Sequence, residues 1–109
     1  MAYDEQLAER VRKLLRRRKG YSERKMFGGI CFMLGGNMCC GVTSSALMLR
    51  LGAEGANEAL LEPHTREMDF TGRPMKSMIY VEPAGYSEDA DLKTWVTRAA
   101  KFAATLPSK

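Results

Sequence analysis

Apolar residues recur at helical spacing across 3–19. Leu7, Val11, Leu14 and Leu15 stand at i, i+4, i+7 and i+8, which puts them on one face of an amphipathic helix. Asp4, Glu5 and Glu9 lie in its first half and Arg16, Arg17, Arg18 and Lys19 in its last turn. That order suits the helix dipole, and Gly20 is a natural stop. The pattern then changes. "ERKMFGGICFMLGGNMCCGVTSSALMLRLG" breaks into short runs rich in Phe, Ile, Val, Cys, Leu and Met, separated by Gly28-Gly29, Gly35-Gly36-Asn37 and Ser44-Ser45. These runs predict strands over 23–28, 30–34, 38–43 and 46–51, paired antiparallel as a meander because their connections are short. In the last of them Leu47, Leu49 and Leu51 alternate with Met48 and Arg50, so the leucines face the core and Arg50 the other way.

"AEGANEALLEP" predicts a short helix over 53–61 that Pro63 stops. "KSMIYVEP" predicts a strand over 76–82. Ser87 then caps a final helix over 88–106, with Leu92, Trp95, Val96, Ala99, Phe102, Ala103 and Leu106 on one side. Between the second helix and the last strand lies "PHTREMDFTGRPMK", with the chain's one His and no clean period. A structureless loop of that length is uncommon in a compact domain. Met68-Asp69-Phe70 alternates like an extended segment, and Thr71-Gly72-Arg73-Pro74 is a turn signal. The stretch therefore reads as a pinned connection with a short edge strand over 67–70. Met68, Phe70 and Met75 are its buried anchors, as Trp95 is for the final helix. The elements run α-β-β-β-β-α-β-α. They define an α+β, two-layer fold with an antiparallel sheet of about five strands and helices packed on one face. The 109 residues make one domain, 1–109.

Composition narrows the class. Hydrophobic content of 45% and charged content of 28% are those of an ordinary folded protein rather than a disordered one. The apolar stretches are far shorter than the roughly 20 residues of a membrane span. "MAYDEQLAER" has acids where a secretion signal needs bases. A soluble, cytoplasmic chain without membrane contact is expected, with Cys31, Cys39 and Cys40 reduced. Neighbours on a strand point to opposite faces, so Cys39 and Cys40 should diverge. Three cysteines and His64 make four ligands on paper, but diverging thiols and the lack of a C-x2-C pair predict no metal and no cofactor. Gly28-Gly29 and Gly35-Gly36 precede no helix with Lys-Ser or Lys-Thr, so neither is a phosphate cradle. Met48 and Met78 each interrupt the pattern of a strand. They imply a partly apolar second sheet face, which favours a homodimer or a partner.

The net charge of +4 is unevenly spread. Residues 10–25 hold nine of the 17 basic groups and one acid, Glu23. Arg12, Lys13, Arg16, Arg17 and Lys19, with Arg24 and Lys25, can meet phosphates or an acidic protein. No recognition-helix motif accompanies them, and only Tyr21 and Phe27 are aromatic nearby.

Several pieces, in order, resemble the N-terminal domain of the TfoX/Sxy family of bacterial competence regulators. They are "MAYDEQLAERVR", "KMFGGICFML-GGNMCCGV", "LMLRLG", "EPHTREMDFTGRPMKSMIYVEP" and the last helix with Trp95. The resemblance implies a small α+β domain and a role in regulating DNA-uptake genes. It also implies a protein partner such as the transcription machinery or a cyclic-AMP receptor protein-type regulator. A full-length competence regulator carries a second domain. The reading that follows is a non-enzymatic regulatory or protein-interaction module with no catalytic residues. Its partner-binding residues are Arg16, Arg17, His64, Arg66, Asp69 and Arg73. One alternative is direct nucleic-acid binding through the basic end of the first helix. A second is a small enzyme using His64 and a cysteine.

Overall fold

The computed structural model describes residues 3–107 apart from Phe27, Ser45, Thr71 and Gly72, and only the backbone of Met26, Asp69, Phe70 and residues 73–75. Helix α1 spans Glu5–Leu15. It starts where the Asp4 carboxylate accepts a 3.1 Å hydrogen bond from the Leu7 amide, an N-cap that satisfies one orphan N–H. Leu7, Ala8, Val11 and Leu15 face inward. The helix ends earlier than its sequence pattern predicts. Arg16 is the C-cap, and Arg17, Arg18 and Lys19 lie in turns beyond it. Gly20 follows with φ +79°, and its carbonyl accepts from the Gly35 amide at 3.1 Å. A Cβ on Gly20 would lie 2.7 Å from that nitrogen, so the close approach requires glycine.

Strands β1 (Tyr21–Met26), β2 (Gly29–Leu34), β3 (Asn37–Val42) and β4 (Leu47–Arg50) form the antiparallel meander. Helix α2 (Gly52–Ala59) leads to β5 (Thr65–Phe70) and β6 (Arg73–Val81). Helix α3 (Asp89–Ala104) closes the chain. Among the described residues the sheet has six strands rather than about five, in the order β1-β2-β3-β4-β6-β5. The stretch read as a pinned connection is mostly a hairpin. Its first arm is an edge strand, and its second extends the last strand back to Arg73. Pairing between the arms, which period alone does not reveal, supplies the extra length. The Thr71-Gly72 part of the turn lies outside the described residues. Helix α3 also departs slightly from prediction, with Glu88 rather than Ser87 at its N-cap position.

Two sets of buried side chains divide the sheet by face. The larger joins Ile30, Phe32, Val42, Leu47, Leu49, Ile79 and Val81 to the inner faces of the helices, including Trp95 and Leu92. The smaller is Cys31, Met33, Met38, Met48, Met68 and Met78, with Tyr80 against it. The alternation of strand residues explains the division, with one exception. Phe32 pairs with Cys40 and Met33 with Met38, so Cys39 is an extra residue in a β-bulge. Cys39 and Cys40 consequently join the same helix-side core instead of diverging.

Candidate functional site

The basic end of α1 is two different environments. Arg10 turns back onto the start of α3. Its Nη2 donates to Asp89 Oδ1 at 2.9 Å, to the Tyr86 carbonyl at 2.9 Å and to the Ser87 carbonyl at 3.2 Å. Arg12 grips β1. Its Nε and Nη2 donate to the two carboxylate oxygens of Glu23 at 2.7 and 3.0 Å, and its Nη1 donates to Glu9 at 2.7 Å. Such a bidentate, charge-assisted pair fixes orientation as well as distance. The Tyr21 hydroxyl also donates to Glu23. Hydrogen bonding from Arg12 holds the Glu23 carboxyl below its ordinary value, with Tyr21 adding to the effect. Burial, then the neighbouring Glu23 carboxylate, pushes the Tyr21 hydroxyl up. Arg12, counted in the basic cluster from sequence, is thus a structural tie. Arg16, Arg17, Arg18 and Lys19 are exposed, and among the described residues none of them pairs with a carboxylate.

The other predicted group sits elsewhere. β1 and β5 are opposite edges of the sheet, and α1 is tied to β1 while Arg66 rides on β5. Arg66 pairs with Glu82 and lies 4.2 Å from the centre of the Tyr80 ring. His64 is exposed and has φ +66°, a left-handed conformation that non-glycine residues adopt at a cost. Its carbonyl accepts from the Glu82 amide at 2.8 Å. Gly85 packs against it, since a Cβ there would lie 3.0 Å from the His64 Cβ. A cleft of about 310 Å³ runs between His64, Gly85, Asp91, Glu62 and Trp95. Trp95 donates from Nε1 to the Gly85 carbonyl at 3.2 Å, and Arg98 stacks over its ring at 4.6 Å while pairing with Glu62. The predicted residues therefore make two surfaces, Arg16 and Arg17 at one edge and His64 and Arg66 at the other. Asp69 and Arg73 belong to the hairpin by backbone, and their side chains lie outside the described residues, as do those of the anchors Phe70 and Met75. Met68 and Trp95 are buried.

Two of the three buried thiols are held above their ordinary values. Burial pushes the Cys31 thiol up to about 11. A hydrogen bond with Cys39, followed by burial, holds the Cys40 thiol well above its ordinary value. A thiol kept protonated at neutral pH is a weak nucleophile. None of the three is in a disulfide. Among the described residues no cluster of three or more His, Cys, Asp or Glu side chains could hold a metal ion. No helix among them is long and apolar enough to cross a membrane.

A further feature had no local sequence signal. α1 and α3 lie side by side, and one cleft opens along their seam while a second opens beyond the end of α1. One, of about 390 Å³, is bordered by Lys13, Leu14, Ala90, Leu92 and Lys93, with the Arg10–Asp89 pair at its end. The other, of about 260 Å³, is bordered by Arg18, Lys19 and Leu34 and by Ala100, Ala103 and Leu106 of the last helix and its exit. Lys93 escapes a reading based on charge runs because it stands alone among neutral and acidic neighbours.

An α+β domain with an antiparallel sheet, three helices and an exposed basic helix end is the class the structure defines. The family model of the TfoX N-terminal domain matches residues 13–103, most of the chain, and the protein belongs to that family. No curated protein and no solved structure matches it.

Proposed function

We infer that this chain is a non-enzymatic, cytoplasmic regulatory module that acts by contacting another protein, in the manner of a competence regulator's N-terminal domain. The observation that carries the reading is the division of charge on α1. Arg10 and Arg12 are paired with carboxylates, whereas Arg16 and Arg17 are exposed beside Arg18 and Lys19 and have no carboxylate partner among the described residues. Unpaired cations at a helix end steer an acidic partner and set register. The raised thiols of Cys31 and Cys40 support the non-enzymatic part of the reading. His64 and Arg66 form a second contact surface at the opposite sheet edge, with Asp69 and Arg73 on the same hairpin.

The test is fluorescence anisotropy with duplex and single-stranded DNA at two salt concentrations, alongside binding to a purified cyclic-AMP receptor protein-type regulator. The expected result is binding to the protein that falls at least tenfold in Arg16→Glu/Arg17→Glu, with no DNA binding at low salt. Salt-sensitive DNA binding lost in the same variant would reassign the cluster to phosphates.

A further inference from the structure

We propose that the seam between α1 and α3 is a docking groove for an acidic amphipathic helix from a partner protein. The inference rests on the protein-contact reading above and gives the partner a chemistry. Its first support is continuity. Arg10 meets Asp89 at the start of α3, while Arg18 and Lys19 border the cleft formed by Ala100, Ala103 and Leu106 at its end. Both clefts thus border α3, one at its start and the other at its end. From Ala90 to Ala104 the helix advances about 21 Å, room for roughly four turns of a docked helix.

The second support is what lines the two clefts. Leu14 and Leu92 form an apolar floor at one end, while at the other Leu34, Ala103 and Leu106 share a more polar lining with Gly35 and Asn37. Lys13 and Lys93 stand on opposite walls of the first cleft, and Arg18 and Lys19 border the second. All four cations are exposed and, among the described residues, pair with no carboxylate. The acid at the groove, Asp89, is engaged by Arg10. An apolar floor between basic walls is complementary to an apolar stripe flanked by Asp and Glu, which is helix-in-groove recognition. A polynucleotide fits less well. It has no apolar ridge for the floor, and the lining has no aromatic ring on which a base could stack.

The experiment is selection of random 16-residue peptides displayed on phage against the intact protein, followed by anisotropy with the enriched peptides. Enriched sequences are expected to be acidic, with apolar residues three and four apart. Lys13→Glu/Lys93→Glu and Ala90→Trp should each weaken binding at least tenfold, and Arg24→Glu on β1 should change it less than twofold. Lys13, Ala90 and Lys93 are exposed, and thermal melts of the variants establish that they fold. Absence of enrichment overturns the proposal, as do enriched peptides indifferent to the groove variants. Peptides lost in Arg16→Glu/Arg17→Glu but kept in the groove variants would remove the groove and leave the broader protein-contact reading standing. Self-association abolished by the groove variants would assign the seam to a second copy and overturn the acidic-helix occupant.

Discussion

Arg10 and Arg12 on α1 lie within seven positions of Arg16 and Arg17 at its end, yet the fold uses them in opposite ways. The first two reach across to other elements. Arg12 ties α1 to β1 through Glu23, and Arg10 ties α1 to the entry of α3 through Asp89 and two carbonyls. The second two stand where the helix has ended, with water on most sides. The difference shows that a run of bases is not a surface. Which charges remain available depends on acids that the chain returns from elsewhere, here from 11 and 79 positions away.

The strongest way to break the contrast is to reverse the tied pair. In Arg10→Glu/Arg12→Glu, new carboxylates face Asp89, Glu9 and Glu23, and the bidentate grip on β1 is lost. Hydrogen bonds to charged groups contribute about 1.5–3 kcal/mol each, and partial exposure reduces that. A stability loss of about 2–4 kcal/mol is expected by urea denaturation. A loss below roughly 0.5 kcal/mol would mean that these contacts do not hold the helix and that α1 carries one basic cluster after all.

Acid sharpens the same contrast with a smaller effect. The Glu23 carboxyl is held below its ordinary value of 4.5, chiefly by Arg12. Its folded pKa is depressed, so its contribution is fully present above the unfolded value and is lost as pH falls through the folded one. Melting temperature should therefore drop more steeply below about pH 4 in the wild type than in Glu23→Gln, whose remaining acid limb comes from other carboxylates. Parallel acid limbs in the two proteins would count against the Arg12–Glu23 tie.

Much of the fold was legible because it is written locally. Leu7, Val11 and Leu15 announce α1, and Gly28 and Gly35-Gly36 mark the hairpin connections with positive φ. The resemblance to the family was legible too, in ordered pieces that the family match covers from residue 13 to 103. What escaped depends on distant partners. β5 and β6 lengthen each other by pairing. Cys39 leaves its alternation because β2 opposes it with one residue fewer. The apolar second face was hinted at by Met48 and Met78, but its joining of Met33, Met38 and Met68 needed the sheet order. The candidate site suffered most. Charge counting grouped Arg12 with Arg16 and Arg17, and reading the chain as one surface grouped them with His64 and Arg66, which the sheet places at its other edge.

The smallest expected effect is also the most informative. At moderate salt Arg16→Glu/Arg17→Glu should alter folding stability by no more than about 0.5 kcal/mol, because Arg16 caps α1 through its backbone N–H and exposed side chains outside cores and ion networks usually contribute little. A slight loss is expected rather than a gain, since cations near a helix C-terminus are worth about 0.3–1 kcal/mol through the dipole and are screened by salt. Measured by urea denaturation at low and moderate salt, a loss that shrinks with salt would identify that dipole effect. A loss above roughly 1 kcal/mol at moderate salt would place Arg16 and Arg17 with Arg10 and Arg12 as parts of the fold. Near-neutral stability together with the tenfold loss of partner binding would separate the two uses of arginine on this helix, because one substitution would then remove contact without removing structure.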